Sequence, residues 1–110
     1  MITKLYKNLI NSLNGLKIVI SEKSFVMELI LGVFLIPYIF LSNIDFNNKL
    51  FLLVLYFLLL ATEIMNTAIE KLSDKFTKDF DSDIKNIKDL SSASVFIILI
   101  ILIITFFLTI

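Results

Sequence analysis

The chain contains no cysteine and no histidine among its 110 residues, and it has only one proline and two glycines. Without cysteine or histidine, the sequence excludes disulfide bonds, thiolate zinc sites, Cys or His nucleophiles, and imidazole as a general base. Any acid–base or metal chemistry must therefore come from carboxylates. The ten basic residues, all lysines, balance ten acidic residues, so no overall charge favours nucleic acid as a partner.

Charged residues are also scarce, at 18% of the chain, whereas hydrophobic residues make up 58% and the mean hydropathy is +0.95. Soluble domains carry about a quarter charged residues. The length allows a single domain, because a chain this short cannot be divided into two independent cores. We therefore expect lipid, rather than a packed water-soluble core, to be the main solvent.

Three apolar segments are long enough to cross a membrane as helices. Residues 90–110 carry no charge and would extend about 31 Å, close to the thickness of the hydrocarbon region of a bilayer. Residues 25–44 and 50–72 form two further spans, and the second of these carries polar groups in its later half. The sequence predicts an all-α integral membrane protein with three transmembrane helices.

A different pattern occupies residues 1–22, where apolar residues recur every three or four positions and polar residues occupy much of the rest. These apolar residues are Leu5, Leu9, Leu13, Leu16 and Ile20. Such spacing predicts an amphipathic helix lying in the membrane interface. An ordinary helix packed against its neighbours is the alternative, and both could hold together.

The lysines predict the orientation of the chain in the membrane. Four precede the first span, five lie at the end of the second span or in the connector at residues 73–89, and only Lys49 lies between the first two spans. Because cytoplasmic segments are enriched in basic residues, the N-terminus and the connector are predicted to be cytoplasmic. Residues 71–89 contain five lysines and five aspartates, and this balance of charges indicates a solvated segment.

The second span carries the most informative residues, Glu63 and Glu70. They are seven positions apart and lie on nearly the same helix face, which Asp74 continues and which Asn66 flanks. An acidic side chain near mid-membrane costs about 2–3 kcal/mol. We therefore expect Glu63 to serve a partner, a proton or a cation. The alternative is a structural carboxyl group that is protonated or hydrogen-bonded inside a helix bundle, and Asn66 alone would suit an interhelical hydrogen bond.

Further polar residues are predicted to lie at the same membrane surface as Glu70. Glu22 and Glu28 precede or open the first span, and Lys88 and Asp89 precede the third. Magnesium prefers oxygen ligands, commonly one or two carboxylates together with substrate phosphates. The set predicts a site for magnesium and a polyphosphate, in which a more deeply buried carboxylate acts as general base toward a hydroxyl.

The segment from Glu63 to Asp74 resembles the signature of the bacterial integral-membrane diacylglycerol kinase family, which includes the undecaprenol kinases. The family pattern is E-x-x-N-[ST]-A-I-E-x-x-x-D, and every specified position matches. The segment from Lys88 to Val95 is similar to the family's K-D-x-[GS]-[SA]-A-x-V. Glu22 and Phe25 match its E-x-x-F, so the resemblance covers nearly the whole chain.

The resemblance implies a lipid kinase that moves the γ-phosphoryl group of ATP, with Mg²⁺ as cofactor, to the hydroxyl of diacylglycerol or undecaprenol. It implies a multi-pass protein of the bacterial inner membrane, with its N-terminus cytoplasmic, and a homotrimer whose sites lie between subunits. Glu63 would be the catalytic base, and Glu22 and Glu70 would bind the metal and the ATP phosphates. The further ATP or phosphate ligands would be Lys88, Asp89 and Lys17, and the further lipid-binding residues would be Asn66, Glu28 and Ser92.

The chain departs from the family at its N-terminal end. It has no arginine, Val26 and Met27 replace a polar pair, and the segment from Gly15 to Glu22 is one residue shorter than usual. These differences affect the register of the surface helix and leave the second-span motif intact.

Two other functions fit the residues taken alone. A small proton-coupled transporter would use an intramembrane glutamate, although its carboxylate must be accessible from both sides, and here the acidic residues collect toward one surface. A structural subunit would only pack against a partner. The apolar side chains of the spans do not distinguish diacylglycerol from undecaprenol as a substrate.

Overall fold

A computed structural model, which describes residues 1–110, contains four α-helices and no β-strand. The helices are α1 (Ile2–Val19), α2 (Lys23–Leu41), α3 (Phe46–Phe76) and α4 (Ser82–Thr109). By length and composition, α2, α3 and α4 can each cross a membrane. The predicted all-α architecture with one surface helix and three spans is confirmed.

The helices enclose a small interior and leave most apolar side chains on the outside. Only 15 of the 110 residues are buried. Exposed aliphatic and aromatic residues cover the outer faces of all three long helices. So much contiguous apolar surface is unfavourable in water and is favourable against acyl chains. The packing therefore agrees with lipid as the main solvent.

The central helix is α3, which packs against both α2 and α4. Its inward residues alternate at spacings of four and three, the pattern of a helix with one continuous buried face. From the N-terminal end they are Leu52, Tyr56, Leu59, Glu63 and Asn66. This face is apolar up to Leu59 and polar from Glu63 onward, so one helix supplies both the core and a buried polar site.

Most of the connector predicted at residues 73–89 is helical. Helix α3 continues to Phe76 and α4 begins at Ser82, so only residues 77–81 separate them. The early start of α4 has a local cause: the Asp81 carboxylate accepts hydrogen bonds from the backbone N–H groups of Asp83, at 2.9 Å, and Ile84, at 3.0 Å. This N-cap lets the helix start well before the apolar run.

Helix α1 has little contact with the rest of the chain. Val19 is its only buried residue, and the apolar residues from Leu5 to Leu16 that form its stripe are all exposed. The alternative expectation, that this stripe packs against the chain's own helices, is therefore not what the structure shows. The stripe stays available to a membrane interface, as predicted for residues 1–22.

The Asp81 cap yields a test of stability. Replacing Asp81 by alanine should lower the free energy of unfolding by about 1 kcal/mol, since two backbone N–H groups lose their acceptor. Thermal unfolding in detergent, followed by circular dichroism, measures the change. Asp79→Ala is the matched control, because no hydrogen bond to the Asp79 carboxylate is present. Equal unfolding temperatures for the two variants would contradict the role of the cap.

Candidate active site

The polar site begins where α2 and α3 meet, at Glu28 and Glu63. Glu63 is 5% exposed, Glu28 is half-buried, and their carboxyl groups lie within hydrogen-bonding reach of each other. A hydrogen bond between two carboxyl groups requires a proton on one of them. The site therefore contains a pair of acids that can hold a single proton between two helices.

Asn66 links this pair to the next carboxylate along α3. It is 7% exposed, and its Nδ2 donates to Glu70 Oε1 at 3.1 Å. The three residues lie at i, i+3 and i+7, so they share one helix face. The amide thus restrains the Glu70 carboxylate on the helix face that carries Glu63.

Two acceptor atoms in this region have no partner within the chain. Asn66 Oδ1 and Glu28 Oε1 are both buried and have no hydrogen-bond donor. Buried polar atoms without partners are rare in folded proteins and call for an explanation. A ligand hydroxyl is one group that could supply the missing donor.

The outer part of the site contains Glu22 at the start of α2 and Glu70 on α3. Both are close enough to Glu63 to act on it electrostatically. Glu22 Oε1 accepts from Lys71 Nζ at 2.9 Å, and the Glu22 side chain is 35% exposed. The predicted metal ligands are thus on different helices, on the open side of a buried acid.

This donor set suits a metal that binds together with phosphate. No group of three or more Asp or Glu side chains forms a self-contained metal site. Two carboxylates from separate helices leave the remaining positions to phosphate oxygens and water, which is how magnesium is usually bound in phosphoryl-transfer sites. The residues present fit magnesium bound as its nucleotide complex.

Lys88 and Asp89 lie further out, where α3 approaches α4. Lys88 Nζ donates to Asp74 Oδ1, and Lys85 Nζ pairs with Asp89 Oδ2 at 2.6 Å. Asp74 is one turn beyond Glu70, about 16 Å of helical rise from Glu63. Ion pairs this exposed contribute little to stability, so either lysine can exchange its carboxylate for a phosphate at little cost.

Lys17 and Ser92 are not brought to the carboxylates within this chain. Both are exposed, and neither makes a hydrogen bond or an ion pair with another site residue. On α4 it is the neighbouring Ser91 that points inward, at 8% exposed. The roles of Lys17 and Ser92, which the family resemblance implies, stay predictions.

The structure adds two residues that sequence reasoning missed, Lys71 and Tyr56. Lys71 was counted only as a basic residue at the membrane boundary, yet it is the partner of Glu22. Tyr56 lies two turns before Glu63 on the same face, and its hydroxyl donates to the backbone carbonyl of Glu28 at 2.9 Å. The available signal for Tyr56 was its position seven residues before Glu63, which places both residues on one helix face. Nothing in the sequence identified Glu22 as the partner of Lys71.

Comparison with known proteins identifies the family of the chain. The family model for prokaryotic diacylglycerol kinase matches residues 10–110, which include all four helices in whole or in part. A diacylglycerol kinase of Pseudomonas aeruginosa is 31% identical over 84 residues, covering 76% of this chain and 68% of that protein. The transporter and structural-subunit alternatives receive no support from these matches. The chain belongs to the prokaryotic diacylglycerol kinase family, as a multi-pass membrane protein and a lipid kinase.

Proposed function

We propose that this kinase transfers the γ-phosphoryl group of ATP to the primary hydroxyl of diacylglycerol, giving phosphatidic acid. The observation that supports the proposal best is the buried Glu63 carboxyl group, which shares a helix face with Asn66 and with the more exposed Glu70 that Asn66 holds. A carboxyl group deep in the span, such as Glu63, is placed to meet the hydroxyl of a lipid. An accessible carboxylate, such as Glu70, is placed to meet a nucleotide. Diacylglycerol is preferred to undecaprenol because the matched relative is named for it.

In the proposed reaction, Glu63 accepts the proton of the lipid hydroxyl as its oxygen attacks the γ-phosphorus of ATP. The bond from that phosphorus to the β–γ bridging oxygen breaks, and ADP leaves. Glu28 and Asn66 hold the Glu63 carboxyl group in place, and Asn66 Oδ1 is available to orient the hydroxyl. Phosphoryl transfer depends mainly on positioning and charge neutralisation, so few residues suffice.

Glu22 and Glu70 are proposed to hold Mg²⁺, which neutralises phosphate charge when it is bound with ATP. If Glu22 held the metal, its partner Lys71 would be free to contact the phosphates. Lys88 is proposed to contact phosphate and Asp89 to support the nucleotide end of the site. Lys17 remains a proposed phosphate ligand, and Ser92 a proposed contact to the lipid.

The protein is proposed to lie in the bacterial inner membrane with its N-terminus and the α3–α4 turn in the cytoplasm. The distribution of lysines supports this orientation, and the site then opens toward cytoplasmic ATP. We further propose a homotrimer. The exposed stripe of α1 and the exposed Lys17 and Ser92 support an assembly in which a neighbouring subunit completes the site.

Glu63→Gln is the direct test of the general base. The amide keeps the size of the side chain but cannot accept the hydroxyl proton, so turnover should fall below about a tenth of wild type. A radiolabelled ATP assay in mixed micelles, offering diacylglycerol and undecaprenol in parallel, measures the product. Asp45→Asn, at the opposite end of α3, is the matched control and should keep full activity. Retention of more than a tenth of the activity by Glu63→Gln would refute the assignment.

A second test concerns the metal. Activity should require Mg²⁺ and disappear with a chelator. Glu22→Gln or Glu70→Gln should raise the Mg²⁺ concentration needed for half-maximal rate about tenfold or more, because each substitution removes a charged ligand. Titration of Mg²⁺ at fixed ATP gives this concentration. Asp79→Asn, an exposed acid outside the site, should titrate as wild type. Full activity without divalent metal would remove Glu22 and Glu70 from this role.

A third test concerns assembly. Three spans cannot readily enclose both a lipid headgroup and ATP, so the active species should be an oligomer of identical chains. Light scattering of detergent-solubilised protein, measured on the same fractions as activity, should place activity with the oligomer. A monomer that keeps full activity would contradict the proposal.

A further inference from the structure

Tyr56 and Gly32 form an unusually close contact between α2 and α3. A Cβ atom added to Gly32 would lie 2.0 Å from the Tyr56 hydroxyl oxygen and 2.4 Å from the ring carbon that bears it. Both distances are well inside van der Waals contact. The tyrosine therefore occupies the space where any other residue at position 32 would have its side chain.

The same contact meets the hydrogen-bonding need of a buried phenol. Tyr56 is 2% exposed, and a hydroxyl buried in an apolar span is costly unless it finds a partner. Its partner is the backbone carbonyl of Glu28, at 2.9 Å. That carbonyl lies one turn before Gly32 on α2, and the missing side chain of the glycine is what leaves room for the hydroxyl to approach.

The position of this contact connects it to the site. Tyr56 precedes Glu63 by two turns on the inward face of α3, and the residue whose backbone it holds is Glu28, the partner of Glu63. The contact limits how closely α2 and α3 approach, and the hydrogen bond limits how far they slide along each other. The distance between the two helices and their register together decide whether the carboxyl groups of Glu28 and Glu63 lie side by side.

We propose that Tyr56, seated against Gly32, is a positioning residue that sets the spacing and register of α2 and α3 so that Glu28 faces Glu63. This inference rests on the proposed function, because its consequence is a geometry suited to phosphoryl transfer. Tyr56 acts through Glu28 and takes no part in the reaction itself. A leucine at position 56 would fill an apolar span equally well but would not hold the Glu28 carbonyl.

Tyr56→Phe tests the hydrogen bond alone, because the ring still fills the space beside Gly32. The expected result is a fall in kcat of about threefold to tenfold, the range for one lost hydrogen bond, with the KM values for ATP and lipid within about twofold of wild type. A purely structural role would instead lower the unfolding temperature and leave the kcat of the folded protein unchanged. Wild-type kcat in Tyr56→Phe would overturn the proposal.

Gly32→Ala tests the spacing. A misplacement near 1 Å can cost about a hundredfold in rate, so we expect a loss of that order. In the double variant Gly32→Ala/Tyr56→Leu the space is restored without the hydroxyl, and at least about a tenfold recovery over Gly32→Ala is expected. Gly15→Ala is the matched control, because nothing lies within 4 Å of a Cβ at that position, and it should behave as wild type.

The outcomes separate this inference from the proposed function. If wild type fails to phosphorylate diacylglycerol with ATP, the proposed function is wrong whatever the variants do. If wild type is active and Gly32→Ala matches Gly15→Ala, the positioning role is wrong and the function stands. If Gly32→Ala does not fold, Tyr56→Phe decides: a threefold to tenfold fall in kcat supports the positioning role, and a wild-type kcat overturns it.

Discussion

A carboxyl group deep in a membrane-spanning helix is stable only when other polar groups meet it, and the structure depends on how this need is met at Glu63. Within one chain Glu63 reaches Glu28 on the neighbouring helix and Asn66 on its own. Without these partners the acid would face acyl chains, at a cost of a few kcal/mol. The meeting of α2 and α3 is therefore the condition for having a reactive group at this depth.

One helix face divides the molecule into two functional regions. On the N-terminal side of Glu63, the inward face of α3 presents Leu52, Tyr56 and Leu59, which are almost completely buried and pack as a core. On the C-terminal side, the exposure of the side chains increases from Asn66, which is buried, to Glu70, which water and phosphate can reach. This gradient suits the proposed function, in which a lipid and a nucleotide would meet where the helix passes from hydrocarbon to water.

The features that could be predicted from the sequence are those set by local chemistry. Apolar length predicts the three spans, and helical periodicity places Glu63 and Glu70 on one face whatever surrounds them. The contacts of Tyr56 and Lys71 could not be predicted, because each depends on which residues of α2 lie opposite. The charges of the connector predicted a solvated segment, whereas the Asp81 N-cap starts α4 within it, and the charged residues fit the water-facing side of that helix.

The ion pairs beside Glu22 and the α3–α4 turn have a different character from the buried pair of Glu28 and Glu63. Lys71 with Glu22 and Lys85 with Asp89 are substantially exposed, so they stabilise the fold little and can be exchanged. Glu28 and Glu63, by contrast, hold each other where water is scarce. A binding step that rearranges only the exposed pairs leaves the buried geometry unchanged. The residues proposed to receive the nucleotide can therefore adapt, while those proposed to move the proton are held by the packing of α2 against α3.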